Sequence, residues 1–210
     1  MEIISVTNLS YSIGAKVVLK NVNFALKKGE AHALRGDNGV GKSTILKILL
    51  NYSHFPNEVR WNQTGNTSIQ TKNLISFLGH ELGLYSSLSL EENLRFFYNI
   101  SLSPFPWSTI LDWVHRFNLH RRLDDPIFSF SRGMKQKAAL IRTLLSRSEL
   151  ILLDEPFTGL DETSYRNVLE LLQEILKDST IFAVIHGMEH PIWKNQFKIE
   201  KGGKLVSYNS

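Results

Sequence analysis

Residues 30–50 read EAHALRGDNGVGKSTILKILL, and they limit the fold more sharply than any other stretch. An apolar run ends at Arg35, three glycines (Gly36, Gly39, Gly41) follow within six residues, and STILKILL (43–50) is helical in pattern. Strand, glycine turn and helix in that order point to an α/β fold. Two later runs agree. ELILLDEP (149–156) and STIFAVIH (179–186) are continuously apolar, as strands buried on both faces are.

The rest of the chain fills in that frame. IISVTNLSY (3–11) alternates and carries β-branched residues, and VVLKNVNFALKKGE continues as strand to a bend at Gly29. From Asn51 to Asn73 the chain is polar apart from an apolar island near Val59 and Trp61, read here as short hairpin strands. NLISFLG (73–79) is a strand, helices are expected over 90–100, 107–118, 133–146 and 161–177, and a hairpin over 196–208 turns at Gly202 and Gly203. The expected architecture is α/β: a parallel sheet, an N-terminal antiparallel β sub-domain, and a helical sub-domain (81–146) inserted into a core made by 1–80 and 147–210. All of it forms one domain.

Composition acts as a filter. No apolar run approaches the about 18 residues that a membrane span needs. The chain has no cysteine, which excludes disulfides and thiolate metal sites and fits a cytosolic setting. No basic segment precedes an apolar one at the N-terminus, so no secretory signal is expected. The net charge of +4 is unevenly placed: 114–147 holds eight Lys/Arg against Asp124 and Asp125, leaving that segment +6 and the remainder −2. Such a patch is either a solvated helix face or an attractor of polyanions.

The glycine loop is suited to polyphosphate. Backbone N–H groups from Gly36, Asp37, Asn38, Gly39, Val40, Gly41 and Lys42 can close around phosphate oxygens, helped by the positive end of the following helix. Lys42 would bridge β- and γ-phosphates, the Ser43 hydroxyl would ligate Mg²⁺, and Thr44 would add a phosphate contact. Asp154, at the tip of a buried strand, can hold the magnesium, and Glu155 stands where a carboxylate could deprotonate water. His186 ends the next strand and could keep that water aligned. Together these residues favour hydrolysis over mere holding of a nucleotide.

The segment FSRGMKQKAALIRTLL (130–145), just ahead of LILLDEPFTGLD, resembles the ATP-binding cassette (ABC) ATPases. The resemblance covers essentially the whole chain. It implies ATP and Mg²⁺ as ligands and a head-to-tail homodimer in which Ser131 and Gly133 of one subunit reach the γ-phosphate held by the other. It also implies Tyr11 stacking on adenine, Asp161 communicating between the two sites, and His186 as a switch.

Three departures stand out. His80 occupies the place of a glutamine that touches Mg²⁺ and water in the family, Arg132 and Met134 replace Gly and Gln of the signature, and the helical part is short. LGHELGLYSSLSLEENLRFFY, FSRGMKQK and LLDEPFTGLD are together similar to the ATP-binding subunits of haem exporters in bacterial cytochrome c maturation. That implies separate integral membrane subunits, docked around 80–89 with Leu84 and Tyr85 exposed, and a peripheral place on the inner face of the cell membrane. No DNA or RNA partner is expected. Another ABC exporter, a soluble cassette acting on nucleic acid, and a module that holds ATP without splitting it remain the alternatives.

Overall fold

Alternation shapes the first sheet. In the computed structural model, which describes residues 1–62, 74–187 and 189–208, β1 (Glu2–Ile13) turns back through Gly14 and Ala15 into β2 (Lys16–Lys27). Gly14 takes a φ of 58°, the left-handed conformation that so tight a turn demands. β3 (Ala31–Arg35) and α1 (Lys42–Leu50) flank the glycine loop. β4 (Val59–Trp61) pairs antiparallel with the other edge of β1, giving a sheet ordered β2-β1-β4. Residues 51–58, expected to begin the hairpin, instead hold a short 3₁₀ turn (Tyr52–His54) ahead of β4, and the part of that hairpin at 63–73 lies outside the described residues.

The second sheet adds β5 (Ile75–Leu78), β6 (Leu150–Asp154), β7 (Thr180–Val184), β8 (Trp193–Ile199) and β9 (Leu205–Tyr208). Its order is β5-β6-β7-β3-β8-β9, parallel throughout except for β9, which returns antiparallel to β8. The terminal hairpin begins at Trp193, earlier than expected, because Trp193 is already paired with Ala31 and buried. Between β5 and β6 run α2 (Leu90–Ile100), α3 (Trp107–Arg116) and α4 (Arg132–Leu144), and α5 (Glu162–Ile175) links β6 to β7.

Two cores sandwich this sheet, and single strands feed both. In β6, Leu150 and Leu152 pack with β1, β2 and α1, while Ile151 and Leu153 face the helices α2–α5. Each of these four side chains is fully buried and worth about 1.5–3 kcal/mol in burial. That explains the unbroken apolar run: a period-2 strand between two cores has no solvent face.

Candidate functional site

The site forms where three neighbouring strands end. In the order β6-β7-β3, the carboxyl ends carry Asp154 and Glu155, then His186, then the glycine loop. This is the edge at which open parallel sheets bind ligands.

The loop is held by its glycines. Gly36, Gly39 and Gly41 have φ values of 142°, 75° and 115°, and a Cβ on Gly36 would lie 2.6 Å from the Ile199 carbonyl oxygen. At the start of α1, Gly41 offers no side-chain cap and the first turn holds no acid, so its N–H groups are open to an anion. By contrast, side chains of Ser89, Ser131 and Asp161 cap α2, α4 and α5. Lys42 is 6% exposed, and its ammonium donates to the carbonyls of Gly36 and Asp37 at 2.9 Å each. Burial pulls its pKa below the usual lysine value, opposed by the charges of Glu155, Asp154 and Asp37.

A cavity of about 490 Å³ opens above the loop, lined by Asn38, Gly39, Gly41, Lys42, Ser43, Thr44, His80 and Glu155. Ile13, Lys16 and Val18 form a further part of its wall. Tyr11 is absent from this lining. β1 is bulged on both sides of Tyr11, and the ring rests edge-on against Phe55 at 6.1 Å. The structure thus brings Ile13 and Val18, not Tyr11, to the cavity.

The acidic side is tightly built. Asp154 is 4% exposed, and its Oδ1 is a buried atom with no hydrogen-bond partner. A lone buried carboxylate oxygen suits a hard cation, with Ser43 as the second protein ligand, so the residues present fit magnesium. His80 Nε2 lies 3.8 Å from Asp154 Oδ2. Glu155 adopts a φ of 52°, unusual for a side chain of its size and a strain of about 1–3 kcal/mol. Its neighbours hold it there. The Glu155 N–H donates to Val184 O at 3.1 Å, Gln136 Nε2 donates to Glu155 O and Pro156 O, and Thr158 Oγ1 donates to Oε2. Oε1 then meets His186 Nε2 at 3.0 Å.

Ser131, Gly133 and Asp161 do not line this cavity. The Ser131 oxygen accepts from Met134 N–H, leaving its own proton free to donate outward. A Cβ on Gly133 would lie 2.6 Å from the Gly159 carbonyl oxygen, so that position admits only glycine without a shift. Asp161 caps α5, accepting from the Ser164 N–H and hydroxyl, which hold its pKa below the usual carboxylate value. Leu84 packs against the core and is not exposed as expected, whereas Tyr85 is, meeting Phe96 edge-on. Gln136 and Thr158 escaped the sequence reading, although Thr158 lies only three residues beyond Glu155.

A family model described as ABC transporter matches residues 19–158, and the chain belongs to that family. It is 31% identical over 188 residues to the cytochrome c biogenesis ATP-binding export protein CcmA of Histophilus somni (strain 129Pt), spanning 87% of this chain and 86% of that one. It is 32% identical over 189 residues to the zinc import ATP-binding protein ZnuC of Rickettsia bellii (strain RML369-C), spanning 89% and 77%. Among solved structures, a dimeric post-hydrolysis ATP-binding cassette bound to ADP and Pi superimposes with a TM-score of 0.78 at 21% identity, covering 98% of both chains. The chain is an ABC ATPase that binds ATP and Mg²⁺ and serves as the ATP-binding subunit of a transporter. Among the described residues, no helix is long and apolar enough to cross a membrane.

Proposed function

We propose that this chain hydrolyses ATP as a head-to-tail homodimer docked on separate integral membrane subunits, and that the cargo is haem for cytochrome c biogenesis. The 3.0 Å pair of Glu155 and His186 carries the hydrolytic assignment. Loop N–H groups and Lys42 would grip the β- and γ-phosphates, and Ser43 and Asp154 would hold the magnesium, with His80 3.8 Å from the Asp154 carboxylate. When bound, magnesium neutralises charge on those phosphates. Glu155 takes a proton from water as the water oxygen bonds to the γ-phosphorus and the bond to the bridging oxygen breaks, yielding ADP and phosphate. The His186 N–H keeps the carboxylate aimed and would also donate a hydrogen bond to a γ-phosphate oxygen. Ile13 and Val18 would lie against the adenine ring.

Exposed Ser131, with its free proton, and bare Gly133 would complete the cavity of a second copy. Similarity to a cassette whose structure is described as dimeric, with ADP and Pi, supports this pairing. The membrane subunits would seat in a groove of about 430 Å³ between β5, α2 and α4, lined by Phe77, Phe97, Ile100 and Arg142. Such docking places the chain on the inner face of the cell membrane without nucleic acid.

For the cargo, the similarity to CcmA over most of both chains is the support, together with Gly79-His80 and the FTGLD run (157–161). A zinc import relative at 32% identity makes a different cargo the competing reading. Affinity purification from detergent-solubilised membranes tests it. Recovery of cytochrome c maturation membrane subunits is expected, and recovery of another permease overturns the haem assignment while leaving the ATPase reading intact.

A further inference from the structure

Arg35 ends β3 one residue before the glycine loop, and its guanidinium ties two neighbouring strands together. Nε donates to Gln196 Oε1 at 2.9 Å, and Nη1 donates to the Gly187 carbonyl at 2.6 Å. Gln196 is 2% exposed and pairs with Ala33, two residues before Arg35, so both side chains stand on one face of the sheet. Buried Gln196 is the anchor, and Gly187 is what it steadies.

Gly187 directly follows His186. The ladder between β3 and β7 extends as far as the Ile185 N–H bonded to Leu34 O at 3.1 Å. Past that bond the chain leaves the sheet, and Gly187 adopts a φ of 77° that glycine enters at no steric cost. His186 therefore sits between two ties, the ladder bond at Ile185 and the Arg35 bond at Gly187, and both lead back to β3. The same strand opens into the phosphate loop, so one element references His186 and the loop to each other.

We propose that Arg35 is a positioning residue for ATP hydrolysis, setting the turn that holds the His186 imidazole against Glu155. The proposal rests on the roles given above to His186 and Glu155. An arginine suits this task because its rigid planar fork donates in two fixed directions, which the single ammonium of lysine on its flexible stem does not. A misplacement near 1 Å at a reacting group costs about 100-fold in rate, so a freed His186 turn has a large effect on turnover and little on binding.

The test compares single-turnover ATP hydrolysis, ATP affinity and thermal unfolding for the full chain, Arg35→Gln, Arg35→Lys, His186→Ala and the double variant Arg35→Gln/His186→Ala. Arg35→Gln is expected to slow cleavage by about 10- to 100-fold, with affinity unchanged within about twofold. Lysine restores little, and the double variant is no slower than His186→Ala alone. Should Arg35→Gln fold poorly, Gln196→Leu frees the guanidinium from its anchor and reproduces the loss in rate. Normal turnover in Arg35→Gln alongside a slow His186→Ala overturns the proposal alone. So does an equal further loss in the double variant, or a loss that follows affinity or melting temperature. Normal turnover in His186→Ala overturns the site reading itself, and the proposal with it.

Discussion

Glu155 illustrates how much chemistry rests on one residue. Its backbone is held in a left-handed conformation by Val184 and Gln136, and its two carboxylate oxygens are claimed by His186 and Thr158. Glu155→Gln keeps the shape and removes the base, so phosphate release is expected to fall by about 100-fold or more while ATP binding persists. Enzyme-coupled phosphate detection against equilibrium binding separates the two. Lys42→Ala removes the ammonium held at the loop by Gly36 and Asp37 and is expected to abolish ATP binding in a titration. The base subsite gives a sharper contrast. Tyr11→Leu is expected to leave the ATP Kd unchanged, and Ile13→Asn to weaken it by about tenfold, or about 1.4 kcal/mol.

At the scale of elements, helix starts do two different jobs. α1 presents uncapped N–H groups to phosphate, whereas Asp161 satisfies those of α5 through Ser164. The Ser164 N–H, and then its hydroxyl, favour the ionised carboxylate and lower its folded-state pKa. Asp161 therefore stabilises the fold above its unfolded-state pKa, and that contribution fades as pH falls through the lowered folded value. Melting temperatures of the native chain and Asp161→Ala should differ at neutral pH and converge in acid. Packing of α4 against the 157–161 turn sets another limit. Gly133→Ala places a methyl 2.6 Å from the Gly159 carbonyl oxygen, a strain of about 1–3 kcal/mol that unfolding by urea would register.

Across the whole molecule, the expected parallel sheet, N-terminal antiparallel strands and intervening helices are all present, because apolar periodicity reports burial directly. If two copies close around ATP, Glu155→Gln should run as a dimer in size-exclusion chromatography with ATP and as a monomer without it. Ile100→Glu, at an exposed position in the lining of the proposed groove, should release the membrane subunits without changing basal hydrolysis. What the amino acids determine alone is the inventory: a glycine loop between an apolar run and a helical pattern, acids that end a second apolar run, and the helices marked by apolar periodicity. Those features depend on residues close in the chain. The aliphatic wall at Ile13 and Val18, the retreat of Tyr11 onto Phe55, the Gln136 brace and the Arg35 tie from Gln196 to Gly187 join residues from distant parts of the chain. Only the tertiary structure decided them, since strand order and bulges, which local pattern does not encode, fix which side chains meet.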